Sequence, residues 1–199
     1  AQMELKKEIP PETAKLFEKI KSQVDRASKI ANTLREFSHL KTEQIAPVDL
    51  HQLFDKTASL IVHDLTLGNI AIERNFAKNL PPIQADEDKL AQVFLNLLTN
   101  ARDAMLDGKN NKIIIATKSA DEKVEIRISD TGTGIPGVII NKIFDPFFST
   151  KEPGKGTGLG LYITHTIIEN MGGTIDVKSE PGKGTTFIIH LPINTPPNP

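Results

Sequence analysis

The sequence predicts an α+β fold: a two-layer sandwich of a mixed, mostly antiparallel sheet with helices on one face, preceded by one long amphipathic helix. Three observations carry this. Strand-period runs come in adjacent pairs, 113–117 with 124–129 and 174–178 with 185–191, each pair joined by turn residues. Helical-period segments stand between the pairs instead of alternating with single strands, which argues against a doubly wound parallel sheet. Residues 12–40 keep a single apolar stripe at helical spacing.

In that first helix Leu16, Ile20, Val24, Ala27, Ala31, Leu34 and Ser38 recur at spacings of three and four, while Lys15, Lys19, Ser22, Arg26, Lys29 and Glu36 fill the other face. Pro10 and Pro11 fall where a first turn tolerates proline and mark the start. Such a helix cannot bury its stripe alone and needs another helix or a second copy of itself. Pro47 then breaks the pattern. A helix over 49–64, a strand over 69–76, a Leu80-Pro-Pro turn and a strong helix over 86–106 follow. Asp121 and Glu122 turn the first strand pair. After a glycine-rich region comes a helix over 159–171, and Pro181-Gly-Lys-Gly184 joins the last two strands. The tail 195–199, rich in proline, is expected to be disordered, and no internal repeat is present.

Composition bounds the function. With 24 Lys plus Arg against 25 Asp plus Glu, the formal charge is −1, which lacks the basic excess that nucleic-acid binding needs. The absence of cysteine excludes disulfides, thiolate zinc sites and cysteine nucleophiles. No apolar run approaches the roughly 18 residues of a membrane-spanning helix. The N-terminus has no signal-peptide pattern and opens on Ala1. The chain therefore reads as a soluble, cytoplasmic piece of something longer, with no membrane contact of its own.

Three segments carry chemistry. On the helix over 86–106, Leu90, Val93, Leu97, Leu98, Ala101 and either Ala104 or Met105 form the core stripe, while Asn96 and Asn100 stand four apart on one face. Asparagine is a weak helix former, so the pair costs stability that something must offset. An amide oxygen suits a hard divalent cation already bound to phosphates. Asn100 fits that role, with Asn96 close enough to bond a water or phosphate oxygen. On this helix alone, two solvated surface amides are an equal reading.

Asp130-Thr-Gly-Thr-Gly-Ile-Pro136 follows a strand. A carboxylate there accepts from an exocyclic amine, and the glycines let the backbone close over a flat ring, which reads as an adenine site. A plain turn is the alternative. Residues 132–137 match the dinucleotide pattern G-x-G-x-x-G literally, but too few residues separate Gly137 from Asp145-Pro146 to hold a crossover helix. Gly154-Lys-Gly-Thr-Gly-Leu-Gly160 opens directly into a helix, so its free amides and the helix dipole make an anion site. It is no Walker sequence, and so many glycines also make a mobile lid or a flexible loop. Between these loops Phe144, Phe147 and Phe148 either anchor that lid or expose a patch, and Thr150 with Lys151 points toward the phosphates.

In this order, Asn96-Leu-Leu-Thr-Asn100-Ala, Asp130-x-Gly-x-Gly134, Phe144-Asp-Pro-Phe-Phe148 and Gly156-Thr-Gly-Leu-Gly160 resemble the N, G1, F and G2 boxes of sensor histidine kinases. The wider group is the Bergerat-fold superfamily shared with gyrase, Hsp90 and MutL. Residues 12–40, with Asp25-Arg26-Ala27 and Leu34-Arg-Glu-Phe-Ser38, are similar to the second helix of the family's dimerisation and histidine-phosphotransfer hairpin.

The resemblance implies three regions: 1–43, part of that hairpin; 44–192, the catalytic ATP-binding domain; and 193–199, a tail. It implies ATP and Mg2+ as ligands, with Asn100 on the metal, Asn96 assisting and Asp130 on the adenine amine. Gly132, Gly134, Ile135 and Phe148 would also be nucleotide-binding. Gly156, Thr157, Gly158, Leu159, Gly160 and Leu161 would wrap the phosphates, with Asp103, Thr150 and Lys151 nearby. Thr185 resembles the threonine that supports the adenine aspartate through a water.

The implied activity moves the γ-phosphate of ATP to a histidine on a dimerisation helix of the same full-length protein, with a response regulator and a homodimer as further partners. Hydrolytic relatives such as gyrase place glutamate at the position of Asn96, and an amide cannot remove a proton, so fast hydrolysis is not expected. No histidine here occupies the acceptor position; His63-Asp64 lies inside the helix over 49–64 and reads as an ordinary helix residue. A related ATPase and a nucleotide-dependent interaction module are the alternatives.

Overall fold

The computed structural model describes residues 44–105, 111–152 and 156–194, together with Thr13, Leu16, Phe17, Ile20, Gln23 and Val24 near the N-terminus. Those six are helical, and Leu16, Ile20 and Val24 of the predicted stripe are at least half exposed. The remainder of the helix predicted over 12–40 and the tail 195–199 lie outside the described residues.

Seven strands and four α-helices follow among the described residues: β1 (Ile45–Val48), α1 (Leu50–Leu60), α2 (Val62–Leu67), β2 (Ile70–Asn75), β3 (Ile83–Asp86), α3 (Glu87–Ala104), β4 (Asn111–Ala120), β5 (Lys123–Asp130), α4 (Gly160–Asn170), β6 (Thr174–Glu180) and β7 (Gly184–Pro192). The main sheet runs β2-β4-β5-β7-β6, with β2 parallel to β4 and every other pairing antiparallel. Ile113, Ile115, Val124, Ile126, Ile128, Phe187 and Ile189 point from one face of this sheet into the core. The stripe predicted on α3, from Leu90 to Met105, is buried against them, and Phe94 stacks on Phe54 of α1 at 3.7 Å. This is the predicted two-layer sandwich.

Two departures are local. The segment 49–64 divides at Ile61, whose N–H turns to the Ala58 carbonyl (3.2 Å) while its side chain stays buried. The β-branched run Ile61-Val62 weakens helix propagation there. Pro47 does not simply end a pattern but sits in β1, paired with Gln84 of β3 in a separate two-stranded sheet. A two-stranded sheet is all edge, where a proline's missing donor costs no interior ladder bond. Caps fix both helix starts: Asp49 accepts from the N–H groups of His51 and Gln52, and Asp86 from that of Lys89.

On the outer face, Glu125 of β5 lies between Lys118 of β4 and His190 of β7 and also accepts from Arg127 (2.6 Å). Burial opposes its ionisation, yet hydrogen bonds from Arg127, Lys118 and His190 outweigh it and hold the carboxyl down at about 2. A depressed acid contributes stability above its unfolded value, and that stability is lost as pH falls toward the folded value. Glu125→Gln is therefore expected to lower the urea midpoint at pH 7 and to flatten its decline between pH 4.5 and 2.

Candidate functional site

The C-terminal half of α3, the inner end of β5, the start of α4 and the loops between them enclose a cavity of about 680 Å³, within the range of small-ligand sites. Asp130 stands at its buried end, on the last residue of β5. The Gly132 and Thr185 N–H groups donate to its Oδ1 (2.8 and 3.2 Å). None of the described residues bonds Oδ2, and Asp130 lines the cavity. Burial pushes this carboxyl up, against the two backbone donors.

The loop after Asp130 is pinned on both sides. Thr133 N–H donates to the Ala104 carbonyl at the end of α3 (3.1 Å), and Gly182 N–H to the Thr133 carbonyl (2.8 Å). Ser179 Oγ accepts from Ile135 N–H (2.7 Å) and donates to the Gly184 carbonyl (2.9 Å). Gly134 has φ +69°, and a Cβ there would lie 2.2 Å from the Glu180 carbonyl oxygen, so only glycine permits this approach. Thr185 meets Asp130 directly through its backbone N–H, while its hydroxyl bonds Ser179 (2.9 Å).

At the opposite end, α4 begins without a side-chain cap on its first amides. Gly156, Thr157, Gly158, Gly160 and Leu161 line the cavity around that end. Uncapped amides and a helix dipole favour negative charge at this end. Gly158 (φ +72°) lies against the backbone of Phe147, where a Cβ would meet the carbonyl carbon at 2.4 Å. The three clustered phenylalanines separate accordingly: Phe144 packs against His165, Phe148 lines the cavity, and Phe147, at φ +66°, is exposed. Gly154 and Lys155 lie outside the described residues.

Asn100, Asp103, Thr150 and Lys151 line the wall between these ends. Lys151 Nζ donates to Asn100 Oδ1 (3.3 Å) and to Asp103 Oδ2. Arg102, which carries no motif signal, holds Asp103 Oδ1 through Nε (3.0 Å) and Nη2 (2.7 Å) and reaches Asp64 of α2 through Nη1. Three expected residues are not in the lining. Asn96 donates to the Gly160 carbonyl (3.2 Å) and so clips α3 to the first turn of α4. Gly132 packs on the end of α3, where a Cβ would meet the Ala104 carbonyl oxygen at 2.6 Å, and Leu159 is in the core. Thr99 and Thr133, inside the recognised motifs but given no role by them, also line the cavity, as do Ile139, Ile143 and Phe187.

A buried acceptor at one end, uncapped helix amides at the other, and an amide oxygen with a lysine between them suit a purine, a polyphosphate and a hard cation. Among the described residues no group of three or more His, Cys, Asp or Glu could hold a metal ion; a single amide oxygen suits a cation that is already bound to phosphates. No helix among the described residues is long and apolar enough to cross a membrane.

Residues 85–195 match the family model described as histidine kinase-, DNA gyrase B-, and HSP90-like ATPase. Sensor histidine kinase ZraS of Escherichia coli (strain K12) is 36% identical over 183 residues, covering 92% of this chain and 38% of ZraS. The chain thus spans less than half of that relative's length. Full-length ShkA in complex with AMPPNP superposes with a TM-score of 0.76 at 27% identity, covering 94% of this chain and 40% of ShkA. Histidine kinase ThkA, in complex with response regulator protein TrrA, gives 0.73 at 27% identity, covering 93% of this chain and 52% of ThkA.

Proposed function

The chain belongs to the histidine kinase-, DNA gyrase B- and HSP90-like ATPase family, and from that premise we propose that it is the ATP-binding catalytic part of a two-component sensor histidine kinase. It would pass the γ-phosphate of ATP to a histidine on a dimerisation helix of the full-length protein. The observation that carries the choice of transfer over hydrolysis is Asn96. One helical turn before Asn100 stands an amide committed to Gly160, where a water-activating enzyme needs a carboxylate.

In this reading residues 44–192 bind the nucleotide, and residues 1–43 belong to the dimerisation and phosphotransfer hairpin. The exposed apolar positions Leu16, Ile20 and Val24 suit a helix that packs on a partner helix. Asp130 Oδ2 would accept from the adenine amine, with Ile135 and Phe148 bordering the base. The amides at the start of α4 and the Thr150-Lys151 pair would hold the phosphates. Asn100 would be the protein's ligand to Mg2+, which when bound neutralises phosphate charge. Asn96 would act by fixing the start of α4 against α3. Catalysis then rests on positioning and charge placement, with no covalent step on this domain. The complexes of ShkA with AMPPNP and of ThkA with a response regulator support ATP and a response regulator as partners.

Mixing the chain with Mg-ATP and a fragment bearing the histidine helix tests this. The expected result is label from the γ-phosphate on the fragment's histidine. Steady phosphate release without any acceptor would identify an ATPase instead, and nucleotide binding with no transfer would identify an interaction module.

A further inference from the structure

The contact of Lys151 with α3 carries an inference that rests on the nucleotide reading and concerns the regulation of that same site. Asn100 and Asp103 stand one helical turn apart and share a face of α3. A single ammonium group lies between them, bonding Asn100 Oδ1 at 3.3 Å and Asp103 Oδ2 more closely. The acid is aimed from behind. Arg102 occupies its other oxygen with two donors and is itself tied to Asp64 of α2. Burial opposes ionisation of Asp103, but the contacts with Lys151 and Arg102 outweigh it and keep the carboxyl below its ordinary range. The side chains of Lys151 and Asp103 are 34% and 21% exposed, so the pair is partly withdrawn from solvent screening.

A cation that ligates Asn100 must approach the same amide oxygen to about 2.1 Å. An ammonium bonded to that oxygen would then sit within a few ångströms of a double positive charge, in a half-buried wall where repulsion is strong. The two cations therefore compete for Asn100. We infer that Lys151 is a tethered cation standing in for the metal: it satisfies Asn100 and Asp103 in the nucleotide-free protein, and metal binding at Asn100 proceeds by exchange with it. The loop carrying Lys151 runs from Phe148, which lines the same cavity. Metal arrival therefore frees a positive group from α3 at the moment phosphates need one, and the exchange couples metal loading to the position of this loop.

The site's apparent metal affinity is then reduced by the fraction of time Lys151 occupies it. If that fraction is two-thirds, removing the ammonium tightens the metal about threefold. The experiment titrates magnesium chloride into the ADP-saturated protein by calorimetry, using ADP so that no γ-phosphate recruits the lysine. Lys151→Met is expected to bind Mg2+ about threefold or more tightly than wild type, and Lys151→Arg, which keeps the cation, to stay near wild type. Equal or weaker Mg2+ binding by Lys151→Met, in a protein that binds ADP normally, overturns the exchange alone. A wild-type protein that takes up no ADP with or without Mg2+ overturns the nucleotide reading and the exchange with it.

Discussion

Asp130→Asn is expected to remove adenine-nucleotide binding while leaving the fold standing. The reason lies in how the two carboxylate oxygens are divided. Oδ1 serves the structure by accepting from Gly132 and Thr185, and in the proposed function Oδ2 would accept from the adenine amine. In the variant the amide oxygen must take the Oδ1 position, because the two backbone N–H groups there require an acceptor. Its NH2 group then points into the cavity, donor against the donor of an adenine amine. A hydrogen bond to a charged acceptor is worth about 1.5–3 kcal/mol, and an unsatisfied buried donor adds about 1–3. The summed loss is about 100-fold or more in affinity, readable by calorimetry with ADP.

The same position predicts a pH dependence that the variant lacks. Burial raises the Asp130 carboxyl above the ordinary aspartate range, and only the ionised form has a free acceptor for each of its partners. Wild-type ADP affinity should therefore decline as pH falls through that raised value, above the window of an exposed aspartate. A raised acid gives the fold stability that is present below its unfolded value and lost as pH rises through the folded one. At pH 7 the ionised Asp130 is thus a cost to the fold, and the neutral amide should melt at the same temperature or slightly higher.

Periodic features were legible in the sequence and pairwise ones were not. The α3 stripe was read correctly because burial of one helix face repeats every three to four residues, and Leu90, Val93, Leu97 and Leu98 are all at most 1% exposed. The glycine segments could be found because free amides need residues without Cβ. β1 and β3 are only four residues each, too short for alternation to stand out, and a proline inside β1 argued against a strand. Arg102 gave no signal because its role depends on Asp64, which lies 38 residues away in sequence. His190 has no acidic neighbour along the chain, yet the sheet register sets it beside Glu125. Asn96 and Asn100 look alike on a helical wheel. Only the placement of α4 shows that one holds a carbonyl of that helix and the other faces the cavity.

That difference gives the largest expected loss of activity, in Asn100→Ala. Alanine is the best helix former and asparagine among the weaker ones, a gain of a few tenths of a kcal/mol, to about 0.7 at most; against it stands only the long, exposed bond from Lys151 Nζ (3.3 Å), whose ammonium keeps Asp103 as a partner, so stability should hold or rise slightly. It removes the amide oxygen proposed as the Mg2+ ligand while leaving Asp130, the uncapped end of α4 and the core untouched. Nucleotide without metal should still bind, and transfer to a histidine-bearing helix should fall about 10²–10³-fold, the usual cost of deleting one preorganised charge-stabilising group. Asn96→Ala makes the contrasting case. The same helix-propensity gain is set against loss of the bond to the Gly160 carbonyl, worth about 1 kcal/mol, so α4 loosens and the melting temperature drops. Of two identical residues on one turn, one therefore trades stability for chemistry and the other supports the frame. Melting curves recorded beside transfer rates for both variants distinguish them, since Asn100→Ala should hold or raise the first while losing the second. A melting temperature that fell equally in both would place Asn100 in the framework and leave the metal without its ligand.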